Sequence, residues 1–599
     1  MRNGLKKYWN ELTAYVTKEQ TFALTIYFTF TAYLKNNGIG TPINSENTGE
    51  LSDLKQLREI FKKIPGYDLK VSANDFEESI GWEIFSRRPC EIIARNLKEE
   101  IEYAVKTEED LERIIEEIKE LKGEADNLMF TPSSVNELIA RLAIEYRIHS
   151  IGDFYGGLGD TGLKICEYLN KTGRDASLTI EEQRKLYCDI ARIRMFCHGF
   201  EKPEVIRKDL MKYQNKAEEH KEKKYDLIVA DLPKRSNESI YVEKKDEIFG
   251  RQEKAFAEWV SVQGILDRLS DRGRAMIIVT KGALVRQREE KIRENITRLD
   301  WLEAVITLPQ NIYAATHLGF EILILNKNKK QEYKNKVFFA DLSECAVRKD
   351  GVRIIAGAAI DKLMKSYEEM TERENLTAIV SSSEIATYEN SWNPFLYLKL
   401  KKVREKMGKT IELGEIAQIT RGAQITHEEE KMLAEKPTHY WLNIRNIDWH
   451  GLVLEDASML SAKSEDWEEK FQIMEDDIIL TSKVTVMKAC IVKPDPPPAF
   501  LCGNLTRIRV NKEKYSPYVL YEFLCSDEGR ALLESIQTGT TIKVLNNKNL
   551  GKMNIPAYEN VMSIGEKLKK AYLEYDFETK RIKYEYEKKK EAIEKQLRQ

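Results

Sequence analysis

The rhythm of apolar and polar positions changes along the chain, and each change predicts a domain. Up to about residue 125, apolar residues recur at three- and four-residue steps between charges: Leu111, Ile114, Ile115, Ile118 and Leu121, and earlier Leu51, Leu54, Leu57, Ile60 and Phe61. That spacing lines one face of a helix, so 1–125 is predicted as a helical N-terminal domain with solvated charged faces. The apolar patch 22–33 is laced with Thr and Tyr and is too short to cross a bilayer, so it reads as a core helix. From 126 to 375 the texture is alternation. Short apolar runs at 148–153, 176–180, 205–206, 227–230, 275–280, 304–308, 322–325 and 337–340 are separated by helical stretches such as 163–169, 190–196 and 256–269. Strands alternating with helices predict an α/β domain, a mostly parallel, Rossmann-like sheet covered on both faces.

Beyond 375 the runs shorten. Strands are expected at 416–419, 439–444, 477–481, 489–492 and 506–510, with a proline-rich surface loop at 495–498 and a helix at 518–525. This predicts an α+β domain over 376–555. The last segment, 556–599, carries Leu568, Tyr572, Tyr575, Ile582, Tyr586 and Ile593 on a four-three spacing that Thr579 and Lys589 interrupt. An imperfect heptad seam predicts a long helix that packs against another helix, of this chain or of a partner.

Composition narrows the class. A length of 599 residues suggests roughly three to five domains. Apolar residues make up 42% and charged residues 32%, as in a soluble globular protein. The net charge of -3 gives no overall attraction to nucleic acid, so any such contact rests on local basic patches. The eight cysteines contain no CxxC and the seven histidines are dispersed, which points to buried thiols in a reducing cytoplasm and to no metal site. No small-residue cleavage site follows the N-terminal patch, and a cytoplasmic location without a membrane anchor is expected.

Candidate chemistry lies where strands end. The run Leu227, Ile228, Val229, Ala230 stops at Asp231-Leu232-Pro233-Lys234, reading as a buried parallel strand closed by a proline-containing turn. Ligands in open α/β sheets collect at such ends, although Asp231 also suits a simple cap of a strand-to-loop turn. The segment 154–162, rich in glycine, falls between a short strand and a helix, the placement that nucleotide-type sites require. Ahead of it, Thr131 or Ser133 can cap a helix whose apolar face is Val135, Leu138, Ile139 and Leu142. Lys234, Arg235, Arg421 and Lys483 are basic positions that suit either DNA phosphates or a solvated surface.

Together these stretches resemble the modification subunit of type I restriction–modification systems, a family of adenine-N6 DNA methyltransferases. Phe130-Thr131-Pro132 is similar to the family's FTP motif, and Asp153-Phe154-Tyr155-Gly156-Gly157-Leu158-Gly159 to its DPxCGSG turn. Glu182, Ala191-Arg192 and Met195 to Gly199 resemble the segment QEI…ARMNLLLHG, and the span 273–329, with Leu308-Pro309, matches best. From Asn390 onward, Leu413 to Ala417, Thr420-Arg421-Gly422, Asp476 to Ser482, Tyr518 to Tyr521, Gly539-Thr540-Thr541 and Ile555-Pro556 resemble one target-recognition module of the matching specificity subunit, where two are usual.

The resemblance implies S-adenosylmethionine as cofactor, bordered by Thr131, Pro132, Asp153, Gly157 and Gly159, with Glu182 meeting the ribose hydroxyls and Asp209 the adenine ring. It implies catalysis at Asp231, Pro233 and Lys234, where the family reads NPPF or NPPY. The first side chain and a backbone carbonyl accept hydrogen bonds from the adenine amine, while the aromatic ring stacks on the flipped base. Asp231 can still accept; Leu232 for the first proline is expected to loosen the turn, and Leu158 between two glycines to crowd the methionine end of the cofactor. Lys234 replaces the aromatic, a platform worth about 1–3 kcal/mol per base. Two main readings stay open: a methyltransferase with its own DNA-recognition domain, or a catalytically inactive DNA-binding subunit on the same scaffold. Methylation of RNA or of another base is a third, weaker one. Expected partners are double-stranded DNA, a restriction or other defence subunit, and a second copy joined through the terminal helix.

Overall fold

The computed structural model describes residues 2–38, 79–81, 88–126, 130–144, 146–208, 223–233, 239–242, 247–250, 254–313, 316, 318–349, 352–388, 390–400, 403, 406–448, 451–484, 487–538 and 543–597. The apolar stripe 51–61 and the predicted site residues Asp209, Lys234 and Arg235 lie outside them, as does the Gly539-Thr540-Thr541 mark. The chain divides into two compact units, Met1–Pro394 and Phe395–Gln599.

The first unit begins with helices α1 (Arg2–Thr13), α2 (Lys18–Asn36), α3 (Cys90–Ala104) and α4 (Glu108–Asp126). Helix α2 starts at a reciprocal Thr17/Gln20 capping box and is buried on all sides. Its threonines are tolerated there because Thr25 and Thr29 donate to the carbonyls one turn back, at 2.6 and 2.8 Å. Helix α4 buries Leu111, Ile114, Ile115 and Ile118, the stripe that the spacing picks out.

Next come α5 (Ser133–Ala143), β1 (Ser150–Phe154), α6 (Asp160–Lys171), β2 (Ser177–Glu182), α7 (Lys185–Cys197), β3 (Glu204–Arg207), β4 (Tyr225–Asp231), α8 (Ala257–Arg268) and β5 (Leu269–Thr280). They are followed by α9 (Glu290–Arg298), β6 (Leu302–Thr307), β7 (Phe320–Asn326), β8 (Lys336–Asp341), α10 (Gly357–Glu369) and β9 (Thr377–Ser381). The nine strands form one sheet in the order β9-β8-β6-β7-β5-β4-β1-β2-β3. Strands β3, β2, β1, β4 and β5 run parallel, while β7 is antiparallel to both β5 and β6. The mostly parallel α/β sheet expected from the alternation is therefore present, with β4 near its centre.

The second unit holds a four-stranded antiparallel sheet in which β10 (Ala417–Arg421), β13 (Leu505–Val510), β11 (Ile478–Thr481) and β12 (Ala489–Ile491) lie side by side in that order. The expected strand 416–419 begins one residue later, because Leu413–Ile416 is a short helix. Helix α11 (Pro517–Cys525) packs against the start of α12 (Val561–Leu597): the Tyr572 ring meets those of Tyr518 and Tyr521 edge-on at 6.0 and 6.1 Å. Farther along α12 the seam residues Tyr575, Ile582, Tyr586 and Ile593 are exposed. No helix among the described residues is long and apolar enough to cross a membrane.

Candidate functional site

The carboxyl ends of β1, β2 and β4 bring most of the predicted site residues together. Strand β1 pairs with β2 on one side and with β4 on the other, in parallel, with Asp153 level with Ile180 and Val229. Asp153 is buried, and its Oδ2 accepts the Gly162 N–H at 2.9 Å. Burial raises its carboxyl to about 8; the Gly162 N–H opposes this, while the carboxylates of Asp160, Asp231 and Glu182 add to it.

After β1 the chain turns through Tyr155, Gly156, Gly157, Leu158 and Gly159. Tyr155, Gly157 and Gly159 have φ of 57, 56 and 82°. For tyrosine the left-handed region costs about 1–2 kcal/mol, and its hydroxyl is held by Ser261 on α8 at 3.0 Å. The turn is stitched to β2: the Gly156 N–H donates to the Glu181 carbonyl at 3.1 Å and the Gly157 N–H to Glu182 Oε2 at 3.1 Å. Glu182 Oε1 takes the Arg184 backbone N–H at 2.9 Å and Nε at 3.0 Å. A Cβ placed on Gly157 would meet nothing within 4 Å, so the turn opens onto free space.

The turn is also anchored from behind. Leu158 does not crowd that space; it is fully buried in the core of the helical layer with Leu186, Tyr187, Ile190 and Ile193. The Leu158 carbonyl accepts from Arg194 at 3.2 Å, and the same guanidinium binds Asp160 at 2.5 Å and Glu112 of α4 at 2.8 Å. Lys119 of α4 reaches Asp160 at 3.0 Å, and His198 bridges Glu108 and Glu112 at 2.7 and 2.9 Å. Helix α4 thus grips the first residue of α6 and the glycine turn through buried ion pairs.

The end of β4 is organised differently. Asp231 Oδ2 accepts from the Thr131 hydroxyl at 2.7 Å and from the Tyr313 hydroxyl at 2.8 Å. Neither Thr131 nor Ser133 caps a helix: the N-cap of α5 is Pro132, with no side-chain cap bond, and Ser133 is already the first residue of the helix. Tyr313 is buried, with its ring 4.6 Å from that of Phe320. Burial, then the Asp231 charge, hold its phenol well above the ordinary range, so it stays a donor. Leu232 does not loosen the turn. Its N–H donates to the Ile278 carbonyl at 3.3 Å, extending the ladder to β5, and its side chain is buried. A proline there could make no such bond.

Tyr313 is the residue that the sequence reading missed; only its position in a loop after a strand hinted at it. In the second unit, Arg421 is half-buried and its Nε donates to the Gly503 carbonyl at 2.7 Å. Lys483 begins a short strand, Lys483–Val484, and its side chain lies outside the described residues.

Comparison with known proteins supplies the context. Residues 109–406 match the family model described as N-6 DNA Methylase. The chain is 27% identical over 311 residues to the methylase subunit of the type I restriction enzyme MjaVII from Methanocaldococcus jannaschii, covering 49% of this chain and 52% of that one. It is 24% identical over 283 residues to the methylase subunit of MpnII from Mycoplasma pneumoniae, covering 44% and 51%. The matches thus span about half the length of these relatives. Among solved structures, the methyltransferase subunit of a type I system from Streptococcus thermophilus superposes with a TM-score of 0.49 at 18% identity, covering 64% of this chain and 81% of that one. Residues 109–406 are thus an N-6 DNA methylase domain, similar to that of type I modification subunits.

Proposed function

We propose that this chain transfers a methyl group from S-adenosylmethionine to the N6 amine of adenine in double-stranded DNA. The observation that carries the reading is Asp231: a carboxylate at the end of a central strand, beside the glycine turn, held by two hydroxyl donors. The residues at β1 and β2 fit the cofactor. Gly157 leaves open space where a backbone can be approached, and the Glu182 carboxylate beside it suits a pair of ribose hydroxyls. The cofactor supplies an electrophilic methyl group. Asp231 accepts hydrogen bonds from the adenine amine, which orients the nitrogen lone pair and favours the charge that develops on it. Pro233 limits the loop behind it, and Lys234 stands where the family carries the stacking ring.

Residues 376–555 serve in this reading as the DNA target-recognition domain, with Arg421 and Lys483 among its basic positions. The exposed seam of α12 pairs with a second copy or with a restriction or other defence subunit, in the cytoplasm. Light scattering is expected to show a dimer; a monomer both with and without DNA removes the pairing.

Incubation of the purified chain with methyl-labelled cofactor and mixed-sequence duplex DNA is expected to place label on adenine. No transfer to any duplex, beside an active control enzyme, refutes the reading. One observation favours a second function: Lys234 in place of an aromatic points to a DNA-binding subunit that keeps the scaffold without the reaction. That protein binds DNA with a salt-dependent affinity, binds no cofactor and transfers nothing.

A further inference from the structure

We propose that Tyr313 is a positioning residue that, with Thr131, fixes the plane of the Asp231 carboxylate and so sets the direction in which Asp231 accepts the substrate amine. The proposal rests on the adenine-methylation reading and adds to it a side chain from a different loop. Both hydroxyls fall on one oxygen, Oδ2, at 2.7 and 2.8 Å. An aspartate side chain turns about two bonds; two donors that converge on one oxygen from separate segments remove both rotations. The direction of the second oxygen, Oδ1, is then set before any ligand arrives.

The two donors are themselves fixed. Tyr313 is 2% exposed and packs on Phe320, which begins β7. Thr131 immediately precedes Pro132, the N-cap residue of α5. Its carbonyl accepts from the Asn136 side chain at 3.2 Å, and Asn136 in turn takes the Thr161 hydroxyl at 2.7 Å. The clamp therefore ties the strand end that carries Asp231 to the helix that follows the glycine turn. It also makes sense of the loop sequence. Where Leu232 replaces a proline, side-chain donors hold the aspartate in place of a rigid ring.

The test compares wild type with Tyr313→Phe and Thr131→Val. With labelled cofactor and duplex DNA, each variant is expected to lower kcat about ten- to a hundredfold, the effect of losing one hydrogen bond to a charged group. KM for the cofactor is expected to stay within about twofold, and Tyr313→Trp, which lacks the hydroxyl, not to restore the rate. A Tyr313→Phe enzyme with wild-type kcat, or one that loses kcat and cofactor KM together with its thermal midpoint, overturns the proposal. A second readout does not need transfer. In carbon-13 tyrosine spectra, Asp231→Asn should bring the titration of one tyrosine to lower pH, and that signal should be missing from Tyr313→Phe. If wild type transfers no methyl group, the methylation reading fails on its own. The clamp is then judged by the spectra, and a tyrosine titration indifferent to Asp231→Asn overturns it.

Discussion

The two halves of the site are held in opposite ways. At β1 and β2, the glycine turn is fastened by its own backbone: Gly156 and Gly157 donate to β2, and Gly162 donates to Asp153. The acceptors of these three N–H groups lie within 25 residues of their donors, although Tyr155 and Leu158 of the same turn are also held from farther off, by Ser261 and Arg194. At β4, Asp231 is held by side chains from Thr131 and Tyr313, 100 and 82 residues away. A backbone-fastened turn tolerates changes of side chain so long as the glycines remain, whereas a carboxylate clamped by two hydroxyls depends on the identity of both donors. The first arrangement suits binding, where shape matters. The second suits the placement of one reacting group.

Breaking the β4 side gives the largest expected effect. Asp231→Ala should lower methyl transfer roughly 100- to 1,000-fold, the scale seen when one preorganised hydrogen-bonding group is removed. Stability should fall only modestly, by about 1–3 kcal/mol, because the buried Tyr313 hydroxyl and that of Thr131 lose this acceptor; transfer assays beside calorimetric melting check both. The anchor behind the glycine turn yields a pH dependence. Burial alone would lower the His198 pKa, but hydrogen bonds to Glu108 and Glu112 overcome it and raise the value to about 9. A folded value above the unfolded 6.5 means that the stabilisation is fully present below about 6.5 and is lost as pH rises through 9. At most about 3 kcal/mol is involved, less the screening at half-exposed Glu108. Denaturation midpoints at pH 6.5 and 9.5 should show the loss in wild type, and His198→Gln should flatten it.

The turn after β4 was legible in outline and misjudged in detail. Periodicity located β1, β2, β4 and β5 and the glycine turn, because burial of apolar runs and positive φ at glycine act over a few residues. Local spacing could not show that Thr131 faces Asp231, that Leu158 packs into the helical layer, or that Tyr313 belongs to the site. Those facts depend on how segments far apart in sequence meet. The Leu232 position is the instructive case: a missing proline suggests a looser turn, yet the freed N–H bonds to Ile278. Leu232→Pro should therefore destabilise the chain by about 1–3 kcal/mol, through the lost bond and the unfilled apolar site, measured as a lower urea midpoint. A stabilised variant would restore the looser-turn reading.

The smallest effect on stability sharpens the other half. Gly157→Ala places its Cβ in open space, so only the positive φ opposes it, at a cost of about 1 kcal/mol. If the cofactor lies in that space, as proposed, its affinity should fall more than the stability of the fold does, a contrast that calorimetric titration and melting read together.

The division between the halves is tested most directly by titrating S-adenosylmethionine into Asp231→Ala and Glu182→Ala by calorimetry. Asp231→Ala is expected to bind within about threefold of wild type, and Glu182→Ala about tenfold or more weakly, as when a hydrogen-bonding carboxylate is lost. Equal affinities in the two variants, or a loss confined to Asp231→Ala, would contradict the assignment of binding to β1–β2 and of chemistry to β4.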